Sequence, residues 1–143
     1  MMIRSVRLWR LAALLFALCA MLGGCKAPDA PREAEVRLDG EEWDDGVLSP
    51  GAAEDLRVCV TLDGAPLIDL PFSEAHAIDI LLPDGGENHI ACTGESVFMA
   101  DANCESHDCV KMGAVTRDNL ETRVMGGFII CLPHRISVEV RGQ

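Results

Sequence analysis

Hydrophobic and polar positions divide the chain into three stretches. Leu11 to Leu22 is apolar without interruption, residues 26–55 carry few apolar side chains and no period, and from Leu56 onward the pattern alternates with period two. Alternation punctuated by turn residues is the signature of short, half-buried strands. Leu56 to Leu62 is alternating and rich in β-branched residues, and Asp63-Gly64 follows it, a strong hairpin signal because both turn positions accept positive φ. Ala65 to Leu70 is the return strand, closed by Pro71; Ala75 to Leu82 is a third, ahead of Pro83-Asp84-Gly85-Gly86. Asn88 to Thr93 and Ser96 to Asp101 flank Gly94-Glu95, and Phe128 to Leu132 and Arg135 to Arg141 flank Pro133-His134. One segment departs from this rhythm: Asp118 is placed to cap a short helix over Asn119 to Val124, before Gly126-Gly127 stops it. About seven short strands without a long helical stretch predict an all-β fold, a small closed or partly open antiparallel barrel or sandwich.

Three segments follow from these shifts: 1–24, 25–55 and 56–143. The middle one holds Pro28, Pro31 and Pro50 and ten acidic against three basic residues. Such a composition buries too little to offset chain entropy and extends through self-repulsion, so it reads as an acidic flexible linker. Within it, Glu35-Val36-Arg37-Leu38 alternates and is a candidate edge strand, and Trp43 is a candidate to pack onto the domain. The acidic pair Asp44-Asp45 reads as solvated charge.

The first stretch has the layout of an export signal: Arg4, Arg7 and Arg10, then the apolar run, then Leu22-Gly23-Gly24-Cys25. The 14 residues from Leu11 to Gly24 fall short of the roughly 20 that a membrane-spanning helix needs. Leucine three places before a cysteine, with two small residues between, resembles the bacterial lipoprotein box. That resemblance implies cleavage after Gly24 and attachment of lipid, with palmitate-type acyl chains, at Cys25. Several such chains hold firmly where one does not, so the expected location is the extracytoplasmic face of a cell membrane. Without residues 1–24 the chain keeps nine basic and 23 acidic residues, a net charge of −14. A surface of that sign repels nucleic acid phosphate, so no nucleic-acid partner is expected.

Of seven cysteines, Cys19 lies in the signal and Cys25 at the lipid position, leaving Cys59, Cys92, Cys104, Cys109 and Cys131. Exported cysteines commonly pair, but five is odd. Cys59 and Cys92 fall inside predicted strands, where a bridge and two small buried hydrophobes are both open readings. The other three sit in Cys104-Glu105-Ser106-His107-Asp108-Cys109-Val110 and Cys131-Leu132-Pro133-His134-Arg135. Together with the Asp63-Gly64 turn, the Cys-x4-Cys-Val and Cys-Leu-Pro-His motifs make residues 56–142 resemble the NusG domain II family. Glu105 stands where that family usually has proline, and the segment from Gly113 to Cys131 is several residues longer than usual. The resemblance implies a small β-domain that occurs as an insert in some bacterial transcription factors and as standalone exported or membrane-anchored proteins. The resemblance also implies a link to membrane flavin or quinone redox components, which standalone members often accompany.

Three chemistries are open to the cluster. Cys104–Cys109, or either one with Cys131, can form a disulfide; two of the thiols can act as a redox pair; or Cys104, His107, Cys109, Cys131 and His134 can supply ligands for tetrahedral zinc. His134 has a structural alternative, since in the family asparagine also occupies that place. His76 and His89 stand alone, and no Gly-x-Ser-x-Gly or phosphate-loop context occurs. The expectation is therefore a lipid-anchored binding or accessory module rather than an enzyme, partnered by the membrane through its lipid and by a membrane protein complex. The alternative is a thiol-redox or metal-carrying protein using Cys104, Cys109 and Cys131.

Overall fold

The computed structural model describes residues 32–43 and 56–142, all of which lie in one compact unit spanning residues 31–143. The predicted signal, Cys25 and Asp44-Asp45 lie outside the described residues. The described residues form ten strands: β1 (Glu35–Leu38), β2 (Glu41–Glu42), β3 (Leu56–Leu62), β4 (Ala65–Pro71), β5 (Ala75–Leu81), β6 (Glu87–Thr93), β7 (Ser96–Ala102), β8 (Val115–Thr116), β9 (Phe128–Cys131) and β10 (Ile136–Gly142). A single helical turn, α1 (Asp108–Lys111), separates β7 from β8. No helix among the described residues is long and apolar enough to cross a membrane.

The strands form two antiparallel sheets, ordered β2-β1-β5-β6-β7-β8 and β4-β3-β10-β9. Alternation sends Val58, Val60, Leu62, Ile136, Val138 and Val140 inward from the narrow sheet, and Ile78, Ile80, Ile90, Val97 and Met99 inward from the wide one. These side chains form one apolar layer, the arrangement of an open sandwich. The edges are blunt: β2 and β8 are two residues each, β9 is four, and β4 carries Pro66 and Pro71 and a bulge opposite Val60 and Thr61.

The seven predicted strands are present, each within one or two residues at its ends. Two expectations differ. Residues 32–43, placed within the acidic linker, belong to the domain, and the candidate strand Glu35–Leu38 and candidate packing residue Trp43 are both found there: Val36 pairs with Ile80 and is buried, and Trp43 donates its amide to the Val36 carbonyl (2.7 Å) while its side chain packs on the core. Alternation over four residues plus one aromatic was enough to dock this segment despite its charge. The predicted helix over Asn119 to Val124 is instead a run of turns. Asn119, not Asp118, supplies the side-chain bonds, accepting from the Thr116 amide (2.9 Å) and donating to the Ala114 carbonyl (3.0 Å). A side chain that bonds the backbone in this way competes with the helical ladder.

The β1–β2 turn is fastened to β5 by a charged contact. His76 Nδ1 lies 2.8 Å from Asp39 and Nε2 lies 3.1 Å from Glu74, while the second Asp39 oxygen accepts the Ala77 amide at 2.8 Å. Burial opposes the imidazolium, but hydrogen bonds to and charges of Asp39 and Glu74 outweigh it, and His76 titrates above its ordinary 6.5. The same bond, with that from Ala77, holds the Asp39 carboxyl below its ordinary 3.8. A raised histidine contributes stability fully below 6.5 and loses it as pH rises through the folded-state value; a depressed aspartate contributes above 3.8 and loses it as pH falls through the lower folded value. Exchange protection at the Asp39 and Ala77 amides should therefore decline as pH rises above 6.5, and His76→Ala should remove the decline. Protection factors that stay level over that rise in the parent protein would show that the latch does not titrate.

Candidate functional site

The site is built where the wide sheet meets β9. Along β7, Val97 and Met99 face the core, then a bulge adds one residue, so that Asn88 pairs with Ala102 while Ile90 pairs with Met99. The extra residue shifts the parity, and Ala102 and then Cys104 turn inward instead of Asp101. Beyond Cys104 the chain makes a tight turn, with the His107 amide donating to the Cys104 carbonyl (3.3 Å). His107 adopts a left-handed conformation (φ 50°) at the start of α1 and is exposed. That pivot rotates α1 so that Cys109 points into the core and Lys111 stays outside, bonded to the Ser106 carbonyl (2.7 Å). Cys131 is the last residue of β9, opposite Ile136 in β10.

These three routes bring Cys104, Cys109 and Cys131 together. Their sulfurs all lie within 4.8 Å of one another, Cys104 Sγ and Cys109 Sγ being 3.7 Å apart, and each residue is at most 3 % exposed. All five described cysteines are free thiols. Burial, followed by the bond to Cys104 and the proximity of Cys131, pushes the Cys109 thiol up to about 12. Nucleophilic thiols are exposed and shifted downward, so this environment suits a protonated or liganded sulfur and not a reactive thiolate.

The predicted ligand set contracts from five residues to three. His107 is exposed on the outer side of the left-handed pivot and does not join the sulfurs. His134 faces the opposite way along the β9–β10 turn: its Nδ1 lies 2.6 Å from Asn88 Oδ1, and its ring lies against Gly86, where an added Cβ would approach to 3.0 Å. Since the amide oxygen only accepts, His134 carries its proton on Nδ1. Cys59 and Cys92 are likewise not brought together. Cys59 lies on the outer face of β3 between Asp69 and Glu139, whereas Cys92 belongs to the core side of β6. Burial lifts the first thiol to about 11, helped by the Asp69 charge, and the second to about 12.

Three side chains that sequence reasoning passed over organise the surroundings. Asn88 is the fully buried polar residue of the core, donating to Met99 Sδ (3.4 Å) and accepting from His134, so it ties the wide sheet to the β9–β10 turn. Its inward place in Asn88-x-Ile90-x-Cys92 was the available signal. Arg32 bonds Asp63 (3.0 Å), Asp84 (3.2 Å) and the His134 carbonyl, while Arg135 reaches the other Asp63 oxygen at 2.8 Å. Arg123 donates to four carbonyls, those of Met112 (2.9 Å), Gly113 (3.3 Å), Gly126 (2.7 Å) and Phe128 (3.2 Å), binding the loop between β8 and β9 to the segment after α1. Gly127 sits so close to β10 that a Cβ would come within 2.1 Å of the Val140 carbonyl.

A buried acceptor stripped of its donor costs about 1–3 kcal/mol. His134→Ala should therefore lower the melting temperature by roughly 4–8 °C per kcal/mol lost, and His134→Asn, which keeps a donor, should lower it less. Calorimetry of the two variants checks this; equal melting temperatures for the alanine variant and the parent would remove the Asn88 contact from the stability of the fold.

The comparisons agree with this architecture. A crystal structure of the Lin0431 protein from Listeria innocua superposes with a TM-score of 0.54 at 20 % identity, covering 63 % of this chain and 99 % of that one. A DUF1312 family protein from Enterococcus faecalis gives 0.54 at 19 % identity, covering 62 % and 98 %. At these identities the likeness is one of fold. The search of curated proteins gives no match. The sequence itself matches the NusG domain II description over residues 11–143, including the β-sandwich and its three-thiol seam, and the chain belongs to the NusG domain II family.

Proposed function

We propose that this protein is a lipid-anchored accessory module on the extracytoplasmic face of a cell membrane, acting by binding a membrane protein complex. The export signal ending at Cys25 supports the anchor. The observation that carries the binding role is the loop between β8 and β9. Val124 is fully exposed, Met125 and Phe128 are exposed, and Met112, Arg123, Val124 and Met125 line a shallow depression beside them. Arg123 and the bond from the Val140 amide to the Gly127 carbonyl (2.9 Å) tether the base of this apolar tip, which would reduce the ordering entropy lost when a partner binds. Burial of all three sulfurs favours a bracing role over redox turnover, which needs an accessible thiolate.

A membrane redox complex of the flavin or quinone type is the first partner to test. Metabolic labelling with palmitate should mark the processed product that begins at Cys25 and fail with Cys25→Ser. Crosslinking in intact cells should then recover one membrane complex, and Val124→Asp with Met125→Asp should cut the yield about tenfold, the loss expected when a central apolar contact worth about 1.4 kcal/mol is removed. Recovery that is unchanged in the double variant would exclude the loop as the contact, and a product without label would exclude the anchor.

A further inference from the structure

We propose that Cys104, Cys109 and Cys131 form a three-sulfur site for a thiophilic d10 cation, with Cu(I) and Zn(II) as the two members to test. Disulfide pairing uses two sulfurs and leaves the third buried beside the bond, whereas one cation uses all three. The spacing agrees. Thiolates at about 2.3 Å from a central ion stand about 3.8 Å apart in a tetrahedron and about 4.0 Å apart in a trigonal plane. The sulfurs here are all within 4.8 Å and two are at 3.7 Å, so changes in separation of at most about 1 Å bring them to either geometry. Among the described residues this is the one group of three or more His, Cys, Asp or Glu side chains close enough to share an ion.

The donors also select the ion. Three sulfurs, with both nearby histidines turned away, exclude hard oxygen-seeking cations such as magnesium and calcium. The three cysteines come from the end of β7, from α1 and from the end of β9, so a bound ion would cross-link the wide sheet, the helical turn and the narrow sheet. Loading breaks three S–H bonds, forms three metal–sulfur bonds and releases three protons to solvent, with no change in the oxidation state of metal or sulfur. The site is independent of the lipid anchor and of the partner.

The full chain, purified anaerobically with reductant, is titrated with Cu(I) held by a competing chelator and separately with Zn(II). One equivalent of either ion should bind with a thiolate-to-metal charge-transfer band or, for the spectroscopically silent case, X-ray absorption showing three sulfur neighbours. Cys131→Ser and Cys104→Ser should weaken binding by more than the roughly 10–100-fold cost of losing an outer-shell contact, and Cys59→Ser should not. The sulfur count by X-ray absorption is read on the unaltered protein, so a misfolded variant does not blunt the test. Absence of stoichiometric binding of both ions, a sulfur count below three, or a disulfide joining any two of these cysteines in protein taken directly from cells would overturn the proposal.

Discussion

The structure depends on one geometric constraint: two sheets of unequal width must share a single apolar layer. The sheets have six and four strands, and α1 contacts both β7 of the wide sheet and β9 of the narrow one, so it spans the side where the two come together. α1 and the three thiols lie at that seam, and Leu120 from the following loop packs against the core. Everything distinctive about the domain, including the bulge in β7, the left-handed His107 and the carbonyl-binding Arg123, serves to bring a covering segment back over that side.

The other seams are closed by polar contacts in place of apolar ones. Asn88 and His134 join the sheets at the end where Arg32, Asp63 and Arg135 also meet. Such contacts contribute modestly to net stability, but each leaves a costly orphan if broken. They therefore fix the relative placement of the sheets more than they strengthen it. The thiol cluster and the Asn88 contact divide the work: sulfur on the covered side, hydrogen bonds at the Arg32 end.

Much of this was legible from residue order. The strands between Leu56 and Gly142 follow alternation and turn chemistry, both local, and they were readable to within one or two residues. Glu35 to Leu38 carried the same local signal inside a segment whose composition argued the other way, and the signal won because one buried valine and a tryptophan outweigh exposed carboxylates that stay in water. The helix over Asn119 to Val124 misled because propensity ignores side chains that bond the backbone. Assembly of the three thiols was legible only as an association of motifs. Their meeting depends on the β7 bulge, which changes the facing of Cys104, and on the sheet order, which places β9 next to α1. The exclusion of His107 depends on a single positive φ that no spacing rule reveals.

The blunt sheet edges have a consequence if the protein is held at a surface by the proposed lipid anchor. Molecules tethered to a membrane meet one another at high local density, and a long unpaired strand would offer each a template for ribbon-like association. Here the wide sheet ends in two-residue strands on both sides, one of them Glu41-Glu42, and the narrow sheet ends in a proline-bearing, bulged β4 and a four-residue β9. Among the described residues these short, interrupted edges offer neighbours little backbone to pair with, so side-chain surfaces would govern association between crowded copies.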